Sequence, residues 1–245
     1  KTYISTIDSA HILFDERKVN PDNVIVIVDE NHTFLQEGRK DFDHTVDAIL
    51  KAGCPIIGLS ATTSNWVNDF VFNMEKHIKI EASSVPKKQV VPYQLKGIPS
   101  TIAQVIKHKP YKKVVIFVES KKEQYKISEA IKDVLPSMKI LILNRDERDN
   151  EDTKPSWDYL MKHDKLPKGT DVAILNKVVQ AGININDDDI ELVMLVGKMD
   201  PLGFLQYLGR CRLYTKDFHY IHLNYGEHTH SWRNPKSLEQ FLDNM

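Results

Sequence analysis

The chain is predicted to be an α/β protein with parallel sheets flanked by helices, and three observations carry that prediction. Short β-branched apolar runs recur throughout the 245 residues. Amphipathic stretches of helical period separate them, which is the layout of βα units whose strands are buried on both faces. Polar residues able to do chemistry follow directly on several of the runs, and parallel sheets hold their ligands at the carboxyl ends of their strands.

In chain order, the predicted strands are Val24 to Val28, Ile56 to Leu59, Val114 to Val118, Ile140 to Leu143, Val172 to Leu175, Leu192 to Val196 and Tyr220 to Leu223. Helical periodicity marks Thr45 to Lys51, Glu123 to Leu135 and Leu202 to Leu213. His77 to Glu81 reads as a further strand, after which two prolines and a lysine pair in SSVPKKQVVPYQLKG break the alternation. The expected organisation is therefore a first domain over residues 1–83, a linker over 84–97, a complete second domain over 98–226 and a polar tail over 227–245. Leu238, Phe241 and Leu242 give that tail a short amphipathic pattern.

Apolar residues at 41% and charged residues at 27% match a globular chain and exclude a disordered one. No apolar run approaches the roughly 20 residues that span a bilayer, and the first residues lack a signal layout, so a cytoplasmic, intracellular location is expected. Cys54 and Cys211 are too few for a disulfide framework and read as reduced thiols. The net charge of -1 hides an asymmetry: residues 1–83 hold 8 Lys+Arg against 13 Asp+Glu, and the remainder 25 against 21. A second half at only +4 permits phosphate contacts but excludes a passive, charge-driven DNA coat.

The first chemical signal is NVIVIVDENH, a buried-type strand ending in Asp29 and Glu30. Acids in such a place are costly unless a cation meets them, and Mg²⁺ on a nucleotide is an economical partner. Such a pair also occurs where a strand enters a polar loop. One strand later, GCPIIGLSATT ends in Ser60-Ala61-Thr62, whose hydroxyls can hydrogen-bond to the acidic segment or cap a helix. In the second half, NKVVQAGINI follows Val172 to Leu175; Gly182 permits close backbone approach, and the amides of Asn176 and Asn184 can donate or accept. FLQYLGRCRLY then sets Gln206, Gly209 and Arg210 in a Q-x-x-G-R spacing. On a helix Gln206 and Arg210 share a face, Leu205 and Leu208 are expected to point to the core, and the arginine fork suits charge on a transferred phosphoryl group.

In this order the segments resemble the DExH box, SAT motif, motif V and motif VI of the superfamily 2 (DExH-box) helicases. VVIFVESKKE is similar to their motif IV, and TYISTIDSAHIL to the segment ahead of their DExH strand. The resemblance implies a partial first RecA-like domain, a complete second one, and an interdomain cleft in which ATP hydrolysis drives movement on nucleic acid. By that resemblance Asp29 holds Mg²⁺ through its water shell, Glu30 orients and deprotonates the attacking water, and His32 couples the site to Ser60 and Thr62. Gly182, Asn184, Gln206 and Arg210 reach the nucleotide, with Arg210 as arginine finger and Arg212 beside it. Asn176, Lys177 and Ser120 are the expected nucleic-acid contacts, with DNA ahead of RNA. Two positions depart from the family pattern. Asn176 stands where Thr or Ser is usual, and Leu213 stands where a second arginine is usual, with Arg212 one residue early. Either Arg212 substitutes through local distortion or a single finger operates.

The G-x-x-x-x-G-K-[ST] phosphate loop of such motors does not occur in these residues. The expectation is that an N-terminal part of the first domain is missing, that this chain alone is inactive, and that its intact parent hydrolyses ATP. A motor subunit of a restriction or remodelling complex, and a nonhydrolytic helicase-like binding module, stay open beside the helicase reading. His219, His222, His228 and His230 do not have a zinc spacing.

Overall fold

A computed structural model describes residues 2–6, 9–16, 18–29, 42–59, 78, 89–95, 98–176, 183–199 and 201–223. The chain divides into two compact units, Lys1–Ser83 and Ser84–Met245.

Unit 1 contains α1 (Ala10–Asp15), β1 (Val26–Val28), α2 (Phe42–Ala52) and β2 (Ile56–Gly58). β1 and β2 pair in parallel with Val26 opposite Ile56. Val28 and Ile49 form a small core, with Phe14, Val26, Val46 and Ile56 packed against it. α2 ends at Gly53, whose φ of 65° lies in the left-handed region that favours glycine. Its N–H bonds back to Leu50, and Pro55 follows two residues on. β1 is shorter than the predicted Val24 to Val28 because its ladder begins beside Pro55, whose carbonyl takes the Val26 N–H. The predicted strand His77 to Glu81 lies outside the described residues except for Ile78, which is not in a strand.

Unit 2 is built on a parallel sheet. Its described strands are β3 (Val90–Leu95), β4 (Val114–Val118), β5 (Ile140–Leu143), β6 (Val172–Leu175), β7 (Leu192–Val196) and β8 (Phe218–Leu223), in the order β3-β8-β7-β4-β6-β5. Helices α3 (Ile98–His108), α4 (Lys121–Val134), α5 (Arg145–Arg148), α6 (Lys154–His163) and α7 (Pro201–Arg210) connect them.

Period-two alternation sorts the strand residues onto two faces. Val114, Ile116 and Val118 meet Ile102 and Ile106 of α3 and Ile127 and Ile131 of α4 in one core cluster. Val115 and Phe117 meet Trp157 and Leu160 of α6, Tyr207 of α7, and Ile183, Ile185 and Ile190 in the other. Every residue of β4, β6 and β7 is buried. This is the arrangement that near-continuous apolar runs anticipate.

The segment 84–97, expected as a linker, contributes β3 to the sheet edge, with Pro92 opposite Tyr220. Proline lacks an N–H to donate, and an edge strand has one side that needs none. The alternation rule passed over this strand because Pro92 and Gln94 interrupt its apolar run. Among the described residues, no helix is long and apolar enough to cross a membrane.

Candidate functional site

The parallel strands of unit 2 bring all their carboxyl ends to one edge of its sheet. Ser120 follows β4 there and Asn176 follows β6, the neighbouring strand. Ser120 is exposed and N-caps α4, accepting the Glu123 N–H at 3.3 Å. Asn176 is buried, at 4% exposure. The edge is stiffened from below by Gln124, which is fully buried and donates to the carbonyls of Leu143 and Ile174 at 3.3 and 3.1 Å. Its own Oε1 accepts from Asn144 at 3.0 Å, and Asn144 caps α5 through Asp146 and Glu147. Lys177 and Gly182 lie outside the described residues.

A second group of candidates gathers on the face covered by α7. Pro201 starts that helix at a position where its missing N–H is no loss, and the helix runs back across the sheet. Ten residues cover about 15 Å, close to the length of a five-residue strand, so Arg210 arrives toward the amino ends of the strands. Ser120 and Asn176 are therefore not beside Arg210.

Asn184 is beside it. The Ile185 N–H donates to the Arg210 carbonyl at 2.9 Å, and the Arg210 guanidinium donates to the Ile183 carbonyl at 3.5 Å. The side chain of Asn184, between these two residues, has a buried Oδ1 that meets no hydrogen-bond donor among the described residues. Gln206, one turn before Arg210, is buried at 9% exposure.

This contact also explains where α7 ends. The predicted helix runs to Leu213, but Ile185 takes the Arg210 carbonyl and the Tyr214 N–H turns to Cys211 instead, closing the helix at Arg210. Arg212 and Leu213 are then exposed beyond the helix. The expectation for Leu205 is corrected. It is 51% exposed, because Phe204, Tyr207 and Cys211 form the inward stripe and Leu205 lies about 200° around the helix from Tyr207. Leu208 packs against the core as expected.

Sequence reading passed over an ionic cluster at the amino end of β4. Lys113 is 7% exposed, and its Nζ lies 2.5 Å from Asp187 and 2.8 Å from Asp189. Burial works to lower the lysine pKa, but hydrogen bonds and charge from both aspartates raise it above its ordinary value. The signal was present as Lys112-Lys113 and Asp187-Asp188-Asp189, opposite charges just ahead of two strands that turn out to be neighbours.

In unit 1, Asp29 is exposed directly after β1. The Leu59 N–H donates to the Val28 carbonyl at 2.8 Å, so Asp29 and the residue preceding Ser60 leave adjacent strand ends. Glu30, His32, Ser60 and Thr62 lie outside the described residues. Among the described residues no group of His, Cys, Asp and Glu is arranged to hold a metal ion. His219 instead stacks on Tyr93, with ring centroids 5.7 Å apart.

Solved structures share this fold. The Mycobacterium smegmatis helicase Lhr bound to ssDNA and AMP-PNP matches with a TM-score of 0.56 at 15% identity, over 89% of this chain and 31% of that one. S. cerevisiae Dbp5 bound to RNA and ADP BeF3 matches with 0.59 at 18%, over 90% and 58%. T. fusca Cas3 matches with 0.62 at 12%, over 97% and 34%. The chain thus spans between about a third and three-fifths of their lengths. At these identities the likeness establishes the fold, an α/β architecture of parallel sheets flanked by helices that matches RecA-like helicase domains. No protein-family model and no curated protein matches the chain.

Proposed function

We propose that the chain is part of an ATP-dependent helicase or translocase acting on nucleic acid, with DNA ahead of RNA as its track. The observation that carries this reading is the junction of residues 183–185 with Arg210. Two segments singled out for nucleotide chemistry, some 25 residues apart, are stitched together by the Ile185–Arg210 and Arg210–Ile183 hydrogen bonds. The fold supports it, and so do the helicase Lhr bound to AMP-PNP and Dbp5 bound to ADP BeF3, which share that fold.

The residues fit a nucleotide. Among the described residues the buried Asn184 Oδ1 meets no donor, and a ligand hydroxyl is a suitable one, since a buried amide oxygen left unpaired costs stability. Bound Mg²⁺-ATP supplies the phosphoryl group and the free energy of its transfer. Asp29 is assigned to the Mg²⁺ water shell, Glu30 accepts a proton from the attacking water, and His32, Ser60 and Thr62 relay the state of the site. Gly182 and Gln206 are assigned to nucleotide contact. Arg210 meets developing negative charge, with Arg212 as a second cation past the helix end. Ser120, Asn176 and Lys177 are assigned to the nucleic-acid backbone, which carries no base information and so permits sequence-independent movement.

A second reading, a nonhydrolytic helicase-like binding module, is favoured by one observation. Leu213, where the resemblance expects a second arginine, is 54% exposed and presents an apolar side chain. Glu30→Gln in the full-length protein separates the readings. Nucleic-acid-stimulated ATP turnover is expected to fall by about 10² to 10⁴-fold while ATP binding survives. Turnover unchanged by the substitution removes Glu30 from its role, and a wild-type protein without turnover selects the binding module. Strand-displacement and duplex-translocation assays distinguish a helicase from a remodelling or restriction motor.

A further inference from the structure

The segment that seats Arg210 is held at its other end by a buried ionic anchor. Two residues beyond Ile185, Asp187 gives one carboxylate oxygen to Lys113 Nζ and the other to the Leu166 N–H at 2.9 Å. The neighbouring Asn186 N–H donates to the Asp164 carbonyl at 2.7 Å, at the end of α6. Lys113 also takes Asp189 at 2.8 Å, so a single cation gathers the stretch leading into β7. The same β4 that begins after Lys113 carries Phe117, whose ring lies 4.7 Å from that of Tyr207, three residues before Arg210. One strand therefore fixes both α7 and the segment stitched to its end.

We propose that Lys113 is a positioning residue for Arg210, acting through Asp187 and the 183–187 segment to set where the guanidinium rests. The inference rests on the function proposed above. Asp187 is 5% exposed, and removing its cation leaves a buried carboxylate that gains by moving to water. That movement draws Ile185 and Ile183 with it, and both are hydrogen-bonded to Arg210. Displacement of a catalytic group by about 1 Å is enough to cost on the order of 10²-fold in rate. A lysine whose two aspartates keep it charged holds this position across the working pH range.

The test is a double-mutant cycle in the full-length protein. Lys113→Gln is expected to lower kcat for ATP by about 10 to 100-fold with KM for ATP within about threefold. Lys113→Arg, which preserves a cation able to hold both carboxylates, is expected to restore most of the rate. Because the effect passes through Arg210, the Lys113→Gln/Arg210→Ala double variant is expected to be no slower than Arg210→Ala alone. Losses that multiply, or a Lys113→Gln kcat equal to wild type, overturn the proposal. Should Lys113→Gln fail to fold, Asp189→Asn removes only the half-exposed partner and is expected to lower kcat by about two- to fivefold; an unchanged rate contradicts the anchor. Amide hydrogen exchange on the same proteins separates this idea from the function on which it rests. Lys113→Gln is expected to speed exchange at Leu166, Ile185 and Asn186 and to leave β4 protected, even if the wild-type protein turns over no ATP. Unchanged exchange at Ile185 overturns the anchor on its own.

Discussion

β1 and β4 are nearly the same sequence, VIV against VVIFV, yet they live in opposite surroundings. Every residue of β4 is buried, whereas Ile25 and Ile27 beside and within β1 are 59% and 63% exposed. On β2 and just beyond it, Ile57 and Leu59 are 47% and 48% exposed on the same open side. A β-branched apolar run thus reports a strand of a parallel sheet, but it does not report how many layers cover that strand. The comparison bears on function as well. Arg210 and Asn184 lie against a sheet packed on both faces, while Asp29 follows a three-residue strand that, among the described residues, is packed on one.

The largest expected difference between the units is in stability. Ile116→Ala, at a fully buried position between two helical layers, is expected to cost about 2–5 kcal/mol in urea unfolding. A cost below about 1 kcal/mol would mean that the core of unit 2 is far looser than its burial indicates.

Alkali should strike unit 2 next. Burial, reinforced by Asp217 for Tyr93 and by Glu191 for Tyr111, pushes both phenols up to about 12 from an unfolded value near 10. A folded pKa above the unfolded one contributes stability that is complete below pH 10 and is lost as pH climbs toward 12. Lys113, also raised, adds a loss of the same sign at high pH. Stability from urea unfolding, and the midpoint with it, is therefore expected to be flat from pH 7 to 9 and to fall above 10, the free energy by at most about 2 to 3 kcal/mol for each tyrosine. A midpoint that holds to pH 11.5 would contradict the burial of both phenols.

Ile27→Ala should have the smallest effect, within about 0.5 kcal/mol, since its side chain is 63% exposed. A loss approaching that at Ile116 would show the open face of β1 and β2 to be covered in solution.

Most of the fold of unit 2 was legible in the sequence, because strands buried on both faces must be apolar at every position. Val114 to Val118, Ile140 to Leu143, Val172 to Leu175 and Leu192 to Val196 are strands from end to end. β3 was not legible, since an edge strand tolerates Pro92 and needs no unbroken apolar run. The end of α7 was not legible either: periodicity continues to Leu213, and only the distant Ile185, claiming the Arg210 carbonyl, stops the helix. Within the candidate site, Arg210 and Asn184 could be chosen from local patterns, but their meeting is a tertiary fact. Lys113 was missed for the same reason. Its partners lie 74 and 76 residues away and become neighbours only when β4 pairs with β7.

Arg210 provides the most direct test of the motor assignment. In the full-length protein, Arg210→Ala is expected to reduce nucleic-acid-stimulated kcat for ATP by about 10³-fold or more, with thermal unfolding close to wild type. Turnover within twofold of wild type would contradict the assignment of Arg210 to the nucleotide, and with it the central reading of this chain.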